Sequence, residues 1–187
     1  MRVFVAVDIP AGVRAAIGAL VTRLDKTASG ARWVRVEAMH VTLKFIGETE
    51  PSMVERIKSA LGAVRSSAPV EMRFRGVGFF PSERHPRVFW AGIEASPNLS
   101  ELAAGIEQRL EPLGIPRDDR AFRPHLTLAR FKSEDGLPRL LETLAALGSV
   151  EFGAMTTAEM HLYQSQLRPG GAEYTRLGTF AFSKSVP

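Results

Sequence analysis

His40-Val41-Thr42-Leu43 and His125-Leu126-Thr127-Leu128 spell one phrase, His-apolar-Thr-Leu, once in each half of the chain. The alternation predicts a β-strand at both places, because side chains two residues apart on a strand share a face. Each strand then offers an imidazole and a hydroxyl together and turns its aliphatic residues into a core. Strict alternation extends the first polar face to Lys44, with Val41, Leu43 and Phe45 opposite. On the second strand it groups Ala129 with His125 and Thr127 and sends Arg130 to the leucine side. From there Arg130 reaches a ligand only if the strand twists or ends, or if its long side chain wraps an edge.

The segments around the two tetrads repeat a rhythm. Residues 2–8 alternate as a strand, and Pro10 opens a helix to about Lys26 with Ile17, Leu20, Val21 and Leu24 at helical spacing. Strands are predicted over 32–36 and 39–46, the second stopped by Gly47. Pro51 then opens a helix whose stripe is Val54, Ile57, Leu61 and Val64. Val70 to Phe80 reads as a long strand bent at Gly76 and Gly78, with Arg87 to Glu94 as its antiparallel partner. In the second half a helix runs from Pro97 to about Leu113. A strand at 124–131, a helix over 137–147, a long strand at 150–163 and a last strand at 172–182 follow. Two helix–strand sets, each with one tetrad, predict an internal duplication. Neither set can bury its sheet alone, so the expected fold is α+β: one two-lobed domain over 1–187, with mostly antiparallel sheets, helices outside and a cleft between the lobes.

The composition fits this picture. The chain has 187 residues, 45% of them hydrophobic, which supports a sizeable core. No window approaches the ~18 apolar residues of a membrane span, and Met1 to Asp8 reads as a strand and not as a secretion signal. A cytoplasmic protein with no membrane contact, a monomer with no obligate protein partner, is expected. With 0 cysteines, disulfides, thiol nucleophiles and cysteine-bound zinc are excluded. The formal charge is +4, and the pI is about 9.8. Arginines at 65, 73, 75, 84 and 87 and at 117, 120, 123 and 130 favour a phosphate-rich partner.

A lone histidine on a strand is usually a packed or exposed residue. Two of only 4 histidines in one repeated pattern call for a shared role. Histidine titrates near pH ~6.5, so one ring takes a proton from water while the other gives one to a leaving oxygen. The threonine hydroxyls donate to phosphoryl oxygens as charge develops. In-line displacement at phosphorus, without a metal, is the chemistry implied. Metal binding needs a third ligand; neither tetrad has His or a carboxylate at the next strand position, and Glu37, Glu48 and Glu50 lie off the strand. A covalent phosphohistidine uses one nucleophile and leaves the second strand unexplained. His85 and His161 fall outside the pattern and read as structural.

At these residues the chain resembles the 2H phosphoesterase superfamily, and within it the RNA 2′,3′-cyclic phosphodiesterases, also called 2′-5′ RNA ligases. The resemblance rests on residues 2–6, 40–47, 86–92, 124–130 and 163–167, with Gly171 to Tyr174. It implies metal-independent hydrolysis of an RNA-terminal 2′,3′-cyclic phosphate to a 2′-phosphomonoester, with no cofactor and with 2′-5′ RNA end joining as the reverse direction. Carried over residue by residue, it implies His40 as proton donor and His125 as proton acceptor, with Thr42 and Thr127 on the phosphate. The two tetrads are too alike for the sequence to assign the two roles. Lys44 and Arg130 are expected to add phosphate contacts, and Phe4, Trp90 and Tyr163 to meet a base. Ser165 and Tyr174 are expected to support the cleft. The alternative is a non-catalytic module that binds RNA termini or nucleotides.

Overall fold

A computed structural model describes residues 1–184. Among these residues nine strands form two sheets, and every strand pair is antiparallel. One sheet has the order β3-β1-β8-β9, from β1 (Arg2–Asp8), β3 (His40–Glu48), β8 (Glu159–Arg168) and β9 (Gly171–Ala181). The other has the order β2-β6-β5-β4-β7, from β2 (Ala31–Trp33), β4 (Val70–Phe80), β5 (Val88–Ala95), β6 (His125–Phe131) and β7 (Glu151–Thr157). The helices are α1 (Ala11–Leu24), α2 (Val54–Gly62), α3 (Asn98–Leu110) and α4 (Leu137–Leu147). None of them is long and apolar enough to cross a membrane.

Both tetrads lie on strands, as their alternation predicts, and the duplication is plain in the topology. β1 and β3 in one sheet correspond to β5 and β6 in the other, each pair being joined through a helix. The lobes are nevertheless not the two halves of the chain. β2 and β4 leave the first half for the five-stranded sheet, and β8 and β9 leave the second half for the four-stranded one. This exchange divides the single strand expected over 150–163 into β7 and β8. The break falls at Ala158, whose carbonyl accepts the Phe182 N–H at 2.9 Å. No glycine or proline marks it in the sequence. The strand expected over 32–36 is also shorter: β2 ends at Trp33, and Val36–Ala38 forms a single 3-10 turn.

One core runs through both lobes. The helix stripes Val13, Ile17, Leu20 and Leu24 of α1, Ile57 and Leu61 of α2, and Leu99, Leu102, Ile106 and Leu110 of α3 join Val41, Phe74, Phe89, Leu126 and Leu162 in one cluster. Helix α2 packs on α3, and α1 packs on β7. The tetrad strands β3 and β6, each at or near the margin of its own sheet, lie beside one another where the sheets meet.

Both tetrads end in a bulge. On β3, Thr42 lies opposite Ala6 but Lys44 lies opposite Val5, so Leu43 is an extra residue. On β6, Thr127 lies opposite Trp90 but Ala129 lies opposite Phe89, so Leu128 is the extra residue. An inserted residue inverts the alternation beyond it. Lys44 and Ala129 therefore turn to the core, and Phe45 and Arg130 turn to the histidine faces. Gly47 does not end β3; at φ 87 it sits in a second irregularity, and the strand continues to Glu48.

Candidate active site

The two histidines are tethered in the same way. His40 Nδ1 lies 3.0 Å from the carbonyl of Ala38, and His125 Nδ1 lies 2.7 Å from the carbonyl of Arg123, in each case two residues upstream. A carbonyl only accepts, so each Nδ1 carries the hydrogen. That fixes the tautomer and leaves Nε2 as the nitrogen free to exchange a proton. Thr42 and Thr127 share the faces of their histidines and are half-buried.

The surroundings of the two rings differ. The His40 side chain is 8% exposed, and Asp8 Oδ1 lies 3.6 Å from its Nε2. The ring lies 4.8 Å from Tyr163 and 5.2 Å from Tyr174, centroid to centroid. Asp8 is the hub of this half-site. It accepts the Tyr163 hydroxyl at 2.6 Å and bonds the Arg176 guanidinium, and its Oδ2 lies 3.7 Å from His161 Nε2. Burial holds the His40 imidazole below its ordinary pKa, with the Ala38 carbonyl and Asp8 pulling the other way. His161 is likewise held down by burial against the pull of Asp8. A cavity of about 600 Å³ opens on this side, lined among others by Asp8, Arg14, Arg35, His40, Tyr174 and Arg176. His125 is not part of its wall. His125 packs edge-on against Phe80 at 5.2 Å, beside Trp90.

Tyr174 links the halves. Burial pushes its phenol up, and the positive charges of Arg130 from the His125 strand, Arg2 and Arg35 pull it back. Its ring meanwhile touches the His40 side at 5.2 Å.

Several expected contacts are redistributed. Lys44 is a correction. It is 2% exposed and held by Glu107 at 2.6 Å, Asp118 at 2.8 Å and the Pro116 carbonyl at 2.8 Å, on the face away from the histidine. Burial opposes its charge, but these acceptors outweigh burial and raise its pKa. Arg130 is exposed on the His125 face, and Arg32 lies directly opposite it on β2. Phe4 and Tyr163 are 5% and 6% exposed and stack on each other at 5.5 Å. They form the backing of His40 and offer no open ring face to a base. Trp90 is half-buried, its indole lying over Gly78. Ser165 is half-buried on β8, opposite Tyr174. His85 is exposed and pairs with Glu134 at 2.6 Å. His161, read from sequence as a bystander, belongs to the Asp8 cluster. Phe45, 65% exposed on the His40 face, escapes sequence reading because alternation assigns it to the core. Asp8, Arg32 and Arg176 carry no local sequence signal at all.

The profile of the family LigT like Phosphoesterase matches residues 7–90 and 93–174, and each stretch holds one tetrad. The chain is 33% identical over 181 residues to a Methanothermobacter thermautotrophicus protein named RNA 2′,3′-cyclic phosphodiesterase, covering 96% of this chain and 98% of that one. The fold matches the crystal structure of a Thermus thermophilus protein with a TM-score of 0.81 and 35% identity, over 97% of this chain and 98% of the other. It matches E. coli LigT, crystallised with 3′-AMP, with a TM-score of 0.78 and 25% identity over 97% of each chain.

Proposed function

The chain belongs to the LigT-like phosphoesterase family, and on that premise we propose that it hydrolyses 2′,3′-cyclic phosphates at RNA ends by two-histidine acid–base catalysis. The carrying observation is the matched pair of Nδ1–carbonyl tethers, which present two Nε2 atoms from neighbouring strands. His125 Nε2 takes a proton from water as the water oxygen attacks phosphorus. The bond from phosphorus to O3′ breaks in line, and His40 Nε2 gives its proton to O3′. The product is a 2′-phosphomonoester with a free 3′-hydroxyl. Thr42 and Thr127 donate to the non-bridging oxygens, where charge accumulates. Arg130, with Arg32 opposite, balances the phosphate charge, and the exposed ring of Phe45 stacks on the terminal base. No step calls for a metal. In reverse, an RNA hydroxyl replaces water and the same groups join two ends, while abundant water favours hydrolysis.

The test is a short RNA ending in 2′,3′-cyclic phosphate, incubated with EDTA. The expected product carries a 2′-phosphate, and His40→Ala and His125→Ala each lose roughly 100-fold or more in turnover. Full turnover by both variants rejects the mechanism, a requirement for added divalent ion rejects its metal independence, and a 3′-phosphate product reverses the leaving-group assignment.

A further inference from the structure

The sequence makes the two tetrads equivalent; their cross-strand neighbours make them different. Resting on the two-histidine reading above, we propose that Asp8 is a positioning residue that makes His40, and not His125, the proton donor. Asp8 lies directly opposite His40 across β1 and β3. The position that corresponds in the duplicate, opposite His125 across β5 and β6, is Gly92. A Cβ on Gly92 would lie 2.5 Å from the Arg75 carbonyl, so the backbone of β4 excludes any side chain there. One imidazole therefore has a carboxylate at its side, and the other is denied one.

The geometry places that carboxylate at the functional nitrogen. With Nδ1–H bound to the Ala38 carbonyl, the exchangeable proton of His40 sits on Nε2, 3.6 Å from Asp8 Oδ1. This is ion-pair distance, long for a hydrogen bond, so Asp8 stabilises the imidazolium without holding its proton. Nε2 stays free to deliver that proton to a leaving oxygen.

Asp8 is itself held. The Tyr163 hydroxyl bonds Oδ1 at 2.6 Å, and Arg176 bonds Oδ2 while donating to the Tyr163 oxygen at 3.1 and 3.2 Å. The other charged and titratable groups around the ring are Arg14 of α1, His161 of β8, Tyr174 and Glu173 of β9, and Arg35 and Glu37 of the loop before β3. Arg14 is engaged by the carbonyls of Ile9, Val36 and Glu37, and Glu173 by Arg168. Asp8 is the carboxylate paired with His40 among the described residues. It works against the burial that disfavours the charged ring. Arg176 moderates it by sharing its charge.

Two variants with opposite expected signs test this. The titration of His40 and of His125 is followed by NMR of the imidazole Cε1–H groups, alongside the pH profile of kcat/KM on the cyclic-phosphate RNA. Asp8→Asn is expected to lower the His40 pKa and to move the alkaline limb of the profile down with it, with KM within about twofold. At a pH above that limb the rate falls about tenfold. Arg176→Gln is expected to shift the His40 titration and the alkaline limb upward; a merely structural role for the cluster gives no such reversal, and this variant alone decides the matter if Asp8→Asn does not fold. An unmoved His40 titration in either folded variant overturns the proposal. A His40 titration that moves while the alkaline limb stays fixed overturns His40 as donor. Failure of the underlying two-histidine reading is separately visible as full activity of both histidine-to-alanine variants.

Discussion

Lys44 and Arg130 exchange the roles that alternation gives them, and one extra residue before each is the cause. Lys44 sits where a phosphate ligand was expected and instead ties β3 to α3 and to the loop that leads toward β6, through Glu107, Asp118 and the Pro116 carbonyl. Replacing it leaves two carboxylates and a carbonyl without their cation. Lys44→Ala is expected to lower unfolding stability by ~2 kcal/mol, below the ~3–5 kcal/mol of a fully buried broken ion pair because Asp118 is largely exposed. Denaturant titration measures that loss, while KM for the cyclic-phosphate RNA stays within about twofold. Phe45 shows the converse. Nothing in its immediate sequence separates an exposed cleft aromatic from a core phenylalanine, and the bulge alone decides.

Among the elements, the bulges at Leu43 and Leu128 recur at the same place in both copies, directly after the His-x-Thr pair. Each keeps the His-Thr face intact and then swings a large side chain onto it two positions after the bulge, one position later than alternation allows. The facing strands are shaped to match. Gly78 lies opposite Trp90, and a Cβ there would lie 2.2 Å from the indole. Gly78→Ala is therefore expected to displace Trp90, which stands opposite Thr127, at a cost of about 1–3 kcal/mol. Tryptophan near-ultraviolet circular dichroism and the melting temperature check it, and kcat/KM is expected to fall in parallel. An unchanged indole signal at unchanged stability rejects this account of the strand pair. The break of the 150–163 segment at Ala158 was illegible because both pieces remain β-favourable; the change of sheet is a tertiary event.

Across the molecule, exchange of β2 and β4 against β8 and β9 makes each sheet depend on both halves of the chain. A fragment of residues 1–92 lacks β8, the central partner of β1, and carries β4 without β7. Such a fragment is expected to stay unfolded by circular dichroism, whereas the whole chain unfolds in one cooperative transition. A folded, cooperatively melting fragment contradicts the shared core. The pH dependence of stability follows from two buried rings. His40 and His161 are both held below their ordinary pKa, chiefly by burial, so the unfolded chain binds more protons than the folded one below pH ~6.5. Stability is therefore full above that value and lost as pH falls through the folded-state values. The melting temperature is expected to drop between pH 7 and pH 5, and His161→Gln to make the drop shallower; an equal drop in both proteins removes His161 from this account.

Most strands, the helices and turns, the duplication, the two tetrads and the family are legible in the sequence, because local periodicity and short repeated motifs encode them. Three things are not: which sheet each strand joins, which side Lys44, Phe45 and Arg130 face, and which of two identical histidines has a carboxylate at its Nε2. Those depend on strand register and on residues far apart in the chain, Asp8 against His40 and Gly92 against His125, and packing alone sets them.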